Sequence, residues 1–489
     1  MKKIFTLLLS MLVIFCANAQ HEENITIGKK RTFYSKVLNE NRKIWIYTPS
    51  LTSQDTSSNK QYPVVYLLDG GAHFYSTVGI IQQLSQANGN GVLPEMIVVA
   101  IENTDRLRDL VPSADITKPN SFVDFLANEL IPYVDKNYST APYRLLIGHS
   151  LGGLTAIDIL TNKPDLFNAY VAIDPSMWYQ DELYLENTIR QLPKISMKEK
   201  KLFIGVANTM PQGLALSQLK NDTTFETQHI RSIFKLNDFL KSNRNGLSYA
   251  HKYYETERHN TVPLKCEYDG LRFVFDFYDL DLSEKDFLDS SALIASKLKA
   301  HYVMVSEKMG YQNSAPETLI NYFAYDALRK NHFNKAGALF KLNTEWYPES
   351  YNVYDSYGDY FLAIKDTSNA ISNYKKALQK KDNALTTAKL NALTHEKPVQ
   401  YSIAALQKYT GVYTLVAFNL DMKVQIRDGK LFAIVPGQAD SEFLPIANNV
   451  FTVKGKQGYT ITFQMNGETP KGFTSVQPNG TFEAVFKNK

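Results

Sequence analysis

The sequence predicts a doubly wound α/β domain over residues 25–285, then an α-helical repeat block over 290–398 and a small all-β domain over 405–489. Three observations predict this order. Short, continuously apolar runs alternate with amphipathic helical stretches up to about residue 280; a 34-residue periodicity then replaces them; and alternating strands punctuated by Gly and Asn turns occupy the remainder.

Met1 to Ala19 reads as a signal peptide ahead of these domains. Lys2 and Lys3 form a basic start, an apolar run extends from Ile4 to Phe15, and Ala17-Asn18-Ala19 has the small-x-small spacing that signal peptidase reads. A secreted or periplasmic protein is therefore expected. The apolar run is too short to cross a bilayer and no later stretch is longer, so no membrane span is expected. Cys16 follows the bulky Phe15, which argues against lipidation. Cleavage leaves Cys266 as the remaining one of two cysteines, so no intramolecular disulfide is expected. The formal charge of +4 is small for 489 residues, and with neither a basic block nor a basic amphipathic stripe, nucleic acid is not expected as a partner.

Thr32 to Ser35 and Arg42 to Pro49 alternate as opening antiparallel strands, and the polar stretch 50–61 is a solvated loop. Pro63 to Leu68 is continuously apolar and ends in Asp69-Gly70-Gly71. Continuous apolarity predicts a strand covered on both faces, as in a parallel sheet with helices on each side. Met96–Ile101, Tyr143–Ile147, Ala169–Ile173 and Lys201–Ala207 repeat the pattern, with helical stretches at Ser76–Gln86, Phe122–Tyr133 and Thr223–Leu240. Tyr249 to Tyr254 is the last strand and Gly270 to Tyr278 a closing helix.

From about residue 290 the apolar spacing is helical. Ala336 and Ala370 stand 34 residues apart, as do Phe340 and Tyr374, and Tyr351, Tyr354, Tyr357-Gly358 and Phe361 open the second unit. These small and large residues fit a tetratricopeptide-like pair of helices, a surface that could dock a protein partner. Beyond Pro398, segments such as Met422–Ile426, Leu431–Ile434, Val450–Val453 and Tyr459–Phe463, with turns at Asp428-Gly429 and Asn479-Gly480, predict an antiparallel barrel or sandwich.

The chemistry centres on Gly148-His149-Ser150-Leu151-Gly152, a G-x-S-x-G elbow with an apolar strand before it and a helical pattern after it. Such an elbow exposes the Ser150 hydroxyl beside the N-terminus of the following helix, where the Leu151 N–H can hold an oxyanion. Gly71, in the loop after the Pro63 strand, is the expected second donor. A serine nucleophile needs a base later in the chain, and His259, a few residues past the last core strand, is in position. His149, His229 and His251 are less suitable, lying inside the elbow, within an amphipathic helix and within a strand. The orienting acid stays open among Asp222, Glu226 and Asp174, or none, with Asp222 preferred because no carboxylate directly follows Ala207. Glu226 also reads as the partner of Thr223 in a capping box, and Asp174-Pro175-Ser176 as an Asx turn. Trp178 and Tyr179 are candidates to line a substrate pocket. The histidines show no ligand spacing and no phosphate-binding glycine loop occurs, so no metal and no cofactor is expected.

Together, Pro63–Gly71, Arg108–Ser113, Gly148–Gly153, Asp174–Trp178 and His259–Pro263 resemble successive signatures of the esterase D group, which includes ferric enterobactin esterase-like and feruloyl or acetylxylan esterase-like α/β-hydrolases. The resemblance covers roughly residues 25–285 and implies an α/β-hydrolase fold with Ser150 as nucleophile and His259 as base. The part from about 405 resembles the small β domain appended to serine β-lactamase-like proteins. The expectation is a secreted serine carboxylic-ester hydrolase acting on a small-molecule or carbohydrate-linked ester. The alternative is a hydrolase-fold binding protein that uses its helical repeats for a protein partner.

Overall fold

The computed structural model describes residues 25–49, 60–85, 91–112, 120–394, 400–456, 458–477 and 480–488. The leader, its Cys16 and most of the 50–61 loop lie outside them. Eight strands form one mixed sheet: β1 (Lys29–Ser35), β2 (Glu40–Tyr47), β3 (Tyr62–Leu67), β4 (Ile97–Ile101), β5 (Thr140–His149), β6 (Ala169–Ile173), β7 (Lys201–Ala207) and β8 (Ser248–Tyr254). Their spatial order is β1-β2-β4-β3-β5-β6-β7-β8. β1 and β2 join antiparallel at one edge; β4 through β8 run parallel.

The continuously apolar runs occupy the centre, as two-sided burial requires: every residue of β3, β4 and β6 is buried. Alternate residues feed two cores. Val64, Tyr66, Val99, Leu146 and Ile204 pack under helices α2 (Leu151–Asn162) and α3 (Gln228–Ser242), whereas Val65, Leu67, Val98, Ile147 and Val171 pack under α1 (Gly70–Leu84) and α4 (Val262–Val274). Three helix starts differ from the sequence expectation. α1 begins at Gly70 and not at Ser76. The closing helix begins at Val262, with Pro263 in its first turn where a missing N–H costs nothing. α3 begins at Gln228, after a separate 3-10 turn over Phe225–Thr227, so Thr223 and Glu226 do not box its start.

Arg108 to Pro112, part of one signature, is a structural clamp. Arg42 of β2 is fully buried and donates to Asp109 Oδ2 (2.6 Å), Glu40 Oε1 (2.8 Å) and the carbonyl of Glu102 (3.0 Å), while Arg108 forks onto Glu40 and Asp109. A buried guanidinium surrounded by acceptors is the only economical way to keep that charge out of water.

The helix Leu293–Met309 inserts Val305 and Met309 into the second core of the sheet. Glu317–Arg329 and Phe333–Trp346 then pair, as do Tyr351–Ala363 and Thr367–Lys380. Ala336 and Ala370 fall at the fourth residue of their helices and, with Phe340 and Tyr374, are fully buried. A Cβ on Gly358 would meet the Tyr374 ring at 2.4 Å, which is why a small residue faces the aromatic there.

The C-terminal part is a closed antiparallel barrel of eight strands, β9 (Gly411–Leu415) to β16 (Gly480–Asn488), filled by Tyr409, Tyr413, Phe451, Phe463 and Phe473. The sequence pattern misses Ser441–Ala447 as a strand because Pro445 and an adjoining bulge break its alternation. Among the described residues, no helix is long and apolar enough to cross a membrane.

Candidate active site

β5 runs at the middle of the sheet between β3 and β6, so its C-terminal end emerges at the centre of one sheet edge. There Ser150 adopts φ 60° and ψ −116°, a conformation costly for a residue with a side chain. Its surroundings enforce it. The Ser150 N–H donates to the Ile173 carbonyl (2.9 Å) and the Ser176 N–H donates to the Ser150 carbonyl (3.0 Å), stitching the elbow to the end of β6. Gly148 is obligatory, since a Cβ there would stand 2.2 Å from the Gly152 carbonyl oxygen. Gly153 is similarly tight, at 3.0 Å from Pro175, whereas Gly152 faces only side-chain atoms at 3.3 Å and beyond. The sequence pattern therefore overweights Gly152 and underweights Gly153. Gly148→Ala is expected to lower stability by more than about 3 kcal/mol, because backbone and not a flexible side chain must move; a urea midpoint within error of the parent would contradict this.

The next two elements supply a carboxylate and imidazoles. Asp174 follows β6 with φ 41°, and its side chain is fully buried. Asp174 Oδ1 accepts the Ala207 N–H at the end of β7 (2.9 Å), and Oδ2 accepts two hydrogen bonds, from His259 Nδ1 (2.6 Å) and His229 Nε2 (2.9 Å). The carboxylate thus lies over the end of β7, the position left vacant in sequence after Ala207, although it is carried by β6. A carboxylate only accepts, so His259 holds its proton on Nδ1 and leaves Nε2 with a lone pair. The Ser150 hydroxyl hydrogen-bonds the Ser176 hydroxyl (3.2 Å), not His259. Burial pushes the Asp174 carboxyl up, but the His229 and His259 hydrogen bonds outweigh it and hold the group well below the usual carboxylate range.

Asp222, the preferred acid in the sequence, does not approach His259. Its Oδ1 accepts from the Thr224 N–H and hydroxyl (2.8 and 2.6 Å) and from the Thr227 hydroxyl (2.7 Å), a local network leading into α3. Short polar side chains bond their own backbone readily, and this one is satisfied where it stands. Glu226 is exposed on the 3-10 turn.

His149 is closer than its place in the elbow suggested. Its Nε2 donates to the His259 carbonyl (2.9 Å) and its ring centroid lies 4.6 Å from that of His259. Burial, then the neighbouring His259 and His73, lower its pKa to about 4. With the folded value depressed, the unfolded chain takes up the proton first. This contribution to stability is complete above about 6.5 and is lost as pH falls toward about 4, by about 3 kcal/mol. The wild type is therefore expected to lose more stability than His149→Gln between pH 7 and pH 4 in urea titrations; equal losses would refute the assignment.

Two helix starts converge beside Ser150. Leu151 opens α2 and Gly70-Gly71 opens α1, so their first N–H groups have no intrahelical acceptor. They adjoin: a Cβ on Gly152 would lie 3.4 Å from Asp69 Oδ2, and Arg106 clamps Asp69 through Nε (2.7 Å) and Nη2 (2.9 Å). Gly71 has open space around its Cα, whereas a Cβ on Gly70 would meet the Ile101 nitrogen at 2.5 Å. Gly70, not Gly71, is the glycine that close packing demands. Trp178 lies two residues beyond Ser176, with its ring 6.2 Å from Phe225, which is 77% exposed. A concavity of about 620 Å³ between β8 and α4 is lined by Tyr254, Leu264 and Tyr268 among others and contains none of these groups.

His229 and Ser176 are the residues that sequence reading missed. His229 carried no signal beyond its helix, and Ser176 was visible only within Asp174-Pro175-Ser176. Asp174, His229 and His259 come from three elements, so their ligand-like grouping, with donor atoms within 4.8 Å of one another, cannot be seen as spacing along the chain.

The sheet order, the strained elbow and the adjoining imidazole–carboxylate pair together define an α/β hydrolase. Residues 35–255 match the family model described as "Putative esterase", so the α/β part of this chain is similar to that family. The chain is 24% identical over 232 residues to YbbA of Bacillus subtilis, covering 44% of this chain and 88% of that one. It is 30% identical over 173 residues to the ferri-bacillibactin esterase BesA of Bacillus subtilis, covering 31% of this chain and 59% of BesA. Among solved structures, an IroE-like serine hydrolase from Shewanella oneidensis aligns with a TM-score of 0.53 at 27% identity, covering 65% of this chain and 99% of that one.

Proposed function

We propose that this chain is a secreted serine esterase that hydrolyses small-molecule or carbohydrate-linked carboxylic esters through an acyl-enzyme on Ser150. His259 Nε2 takes the Ser150 proton as Oγ attacks the ester carbonyl, and the N–H groups of Leu151 and Gly71 receive the oxyanion. His259 then gives the proton to the leaving alcohol. Water, deprotonated by His259, opens the acyl-enzyme, releasing the carboxylic acid and restoring the serine. Asp174 keeps the ring in the Nδ1–H tautomer and stabilises the imidazolium. The observation that carries this reading is the 2.6 Å bond from His259 to a buried Asp174, on a loop hydrogen-bonded to the strained Ser150.

The basic, apolar and small-x-small order of Met1 to Ala19 supports export. Trp178 and Phe225 offer ring faces suited to a flat acyl group or a sugar. The helix pairs over 317–380 are proposed as tetratricopeptide-like repeats with a docking role for a protein partner. The alternative of a binding protein without turnover is motivated by the appended domains and by the acid missing from its usual place in the sequence; the Asp174–His259 bond supports turnover instead.

One relative is named as a ferri-bacillibactin esterase, so siderophore esters belong beside acetyl and feruloyl esters in a substrate panel. Purified chain is expected to turn over at least one class well above the Ser150→Ala background. Turnover of none of them would overturn the reading.

A further inference from the structure

Asp174 carries two imidazoles on one oxygen, and a serine–histidine pair requires only one. The second, His229, enters from the start of α3, whereas His259 comes from the loop between β8 and α4. The rings meet edge to face with centroids 5.2 Å apart, and Asp174 Oδ2, His229 Nε2 and His259 Nδ1 all lie within 4.8 Å of one another. Two neutral imidazoles and one carboxylate form a donor set suited to Zn²⁺, which binds such atoms at about 2.0–2.2 Å.

We propose that Asp174, His229 and His259 form a reversible Zn²⁺ site whose occupation silences the hydrolase. Zn²⁺ binding needs no reactivity from Ser150; the silencing rests on the function proposed above.

The geometry permits binding with limited movement. Ligand atoms of a tetrahedral ion at those bond lengths stand about 3.3 Å apart, so the present 2.9 and 2.6 Å separations must open by about 0.4 and 0.7 Å. The histidine side chains can yield, being 17% and 32% exposed, while Asp174 is fully buried and anchored through Oδ1 by the Ala207 N–H. Fourth-position water completes the coordination.

The consequence follows from proton bookkeeping. In the free site His259 Nδ1–H and His229 Nε2–H point at Asp174 Oδ2. The ion replaces both hydrogens. On a neutral ring the proton then resides on the other nitrogen, so His259 moves it from Nδ1 to Nε2 and His229 from Nε2 to Nδ1. No proton is released and each ring stays neutral. His259 Nε2 is the atom that must accept from Ser150, and once protonated on a metal-bound neutral ring it cannot.

The test uses full-length, untagged chain and ZnCl₂, read by competition with a chromophoric chelator and by hydrolysis of p-nitrophenyl butyrate. Wild type is expected to bind one equivalent, with hydrolysis falling as the site fills and returning when EDTA is added. Ser150→Ala should bind as wild type does. His229→Gln should bind at least tenfold more weakly and keep its own hydrolysis at zinc concentrations that silence wild type. Co²⁺ in place of zinc reports the site without any substitution, through the intense visible bands of a tetrahedral ion. The proposal is overturned by less than one bound equivalent, by equal affinity in wild type, His229→Gln and His259→Gln, or by full hydrolysis with the site filled. A chain that hydrolyses no ester yet binds zinc through these residues sinks the esterase reading and leaves the metal site standing.

Discussion

Ser150→Ala lowers kcat/KM for p-nitrophenyl butyrate by about 10³–10⁶-fold while leaving the fold intact. On the proposed mechanism the oxygen it removes is the attacking atom. Ser176 is the nearest hydroxyl, 3.2 Å away, but it follows Asp174-Pro175 on the β6 loop and does not open a helix whose free N–H groups could hold an oxyanion. Stability should change little. Among the described residues the Ser150 hydroxyl makes only the bond to Ser176, worth about 1 kcal/mol, and alanine at φ 60° is strained to a similar degree. Steady-state rates with a thermal melt on the same sample check both halves. Retention of a tenth of the activity would mean that Ser150 is not the nucleophile.

Asp174→Asn lowers kcat by about 10²–10⁴-fold, whereas Asp222→Ala stays within about threefold of the parent. Asparagine fits the space but lacks the charge that stabilises the His259 imidazolium, and its amide can turn NH₂ toward the ring and reverse the tautomer. The loss should fall on kcat and leave KM nearly unchanged, because Asp174 is fully buried and bonds both histidines. Asp222 bonds only Thr224 and Thr227 through its side chain, so its removal loosens a surface turn. A large kcat effect from Asp222→Ala, with none from Asp174→Asn, would reverse the assignment.

The contrast between these two aspartates shows what could be read from the chain. The elbow was legible because its determinants are local: Gly148 needs no side chain for a reason five residues long, and the apolar runs of β3 to β7 declare two-sided burial on their own. His259 was legible through chain order, as the first histidine beyond the last strand. The carboxylate that bonds His259 was not, because the choice depends on which strand end the β8–α4 loop folds over. Asp174 reaches from the end of β6 to the end of β7 and receives the Ala207 N–H there, a relation between residues 33 positions apart. His229 was hidden for the same reason. Its helix has an apolar face of Ile230, Ile233, Leu236 and Leu240 that accounts for the local pattern fully, so a histidine at its start reads as polar surface. Gly70 and Gly71 are neighbours in a glycine pair, and only the approach of the Ile101 backbone separates their roles.

The central claim is that Ser150 is an activated nucleophile, and covalent labelling tests it independently of substrate choice. Full-length chain is incubated with a fluorophosphonate and its intact mass and labelled peptide are determined. One adduct per molecule is expected, on the peptide containing Ser150, with none in Ser150→Ala and much slower labelling in Asp174→Asn. An unlabelled wild type, or an adduct on another residue, would contradict the account.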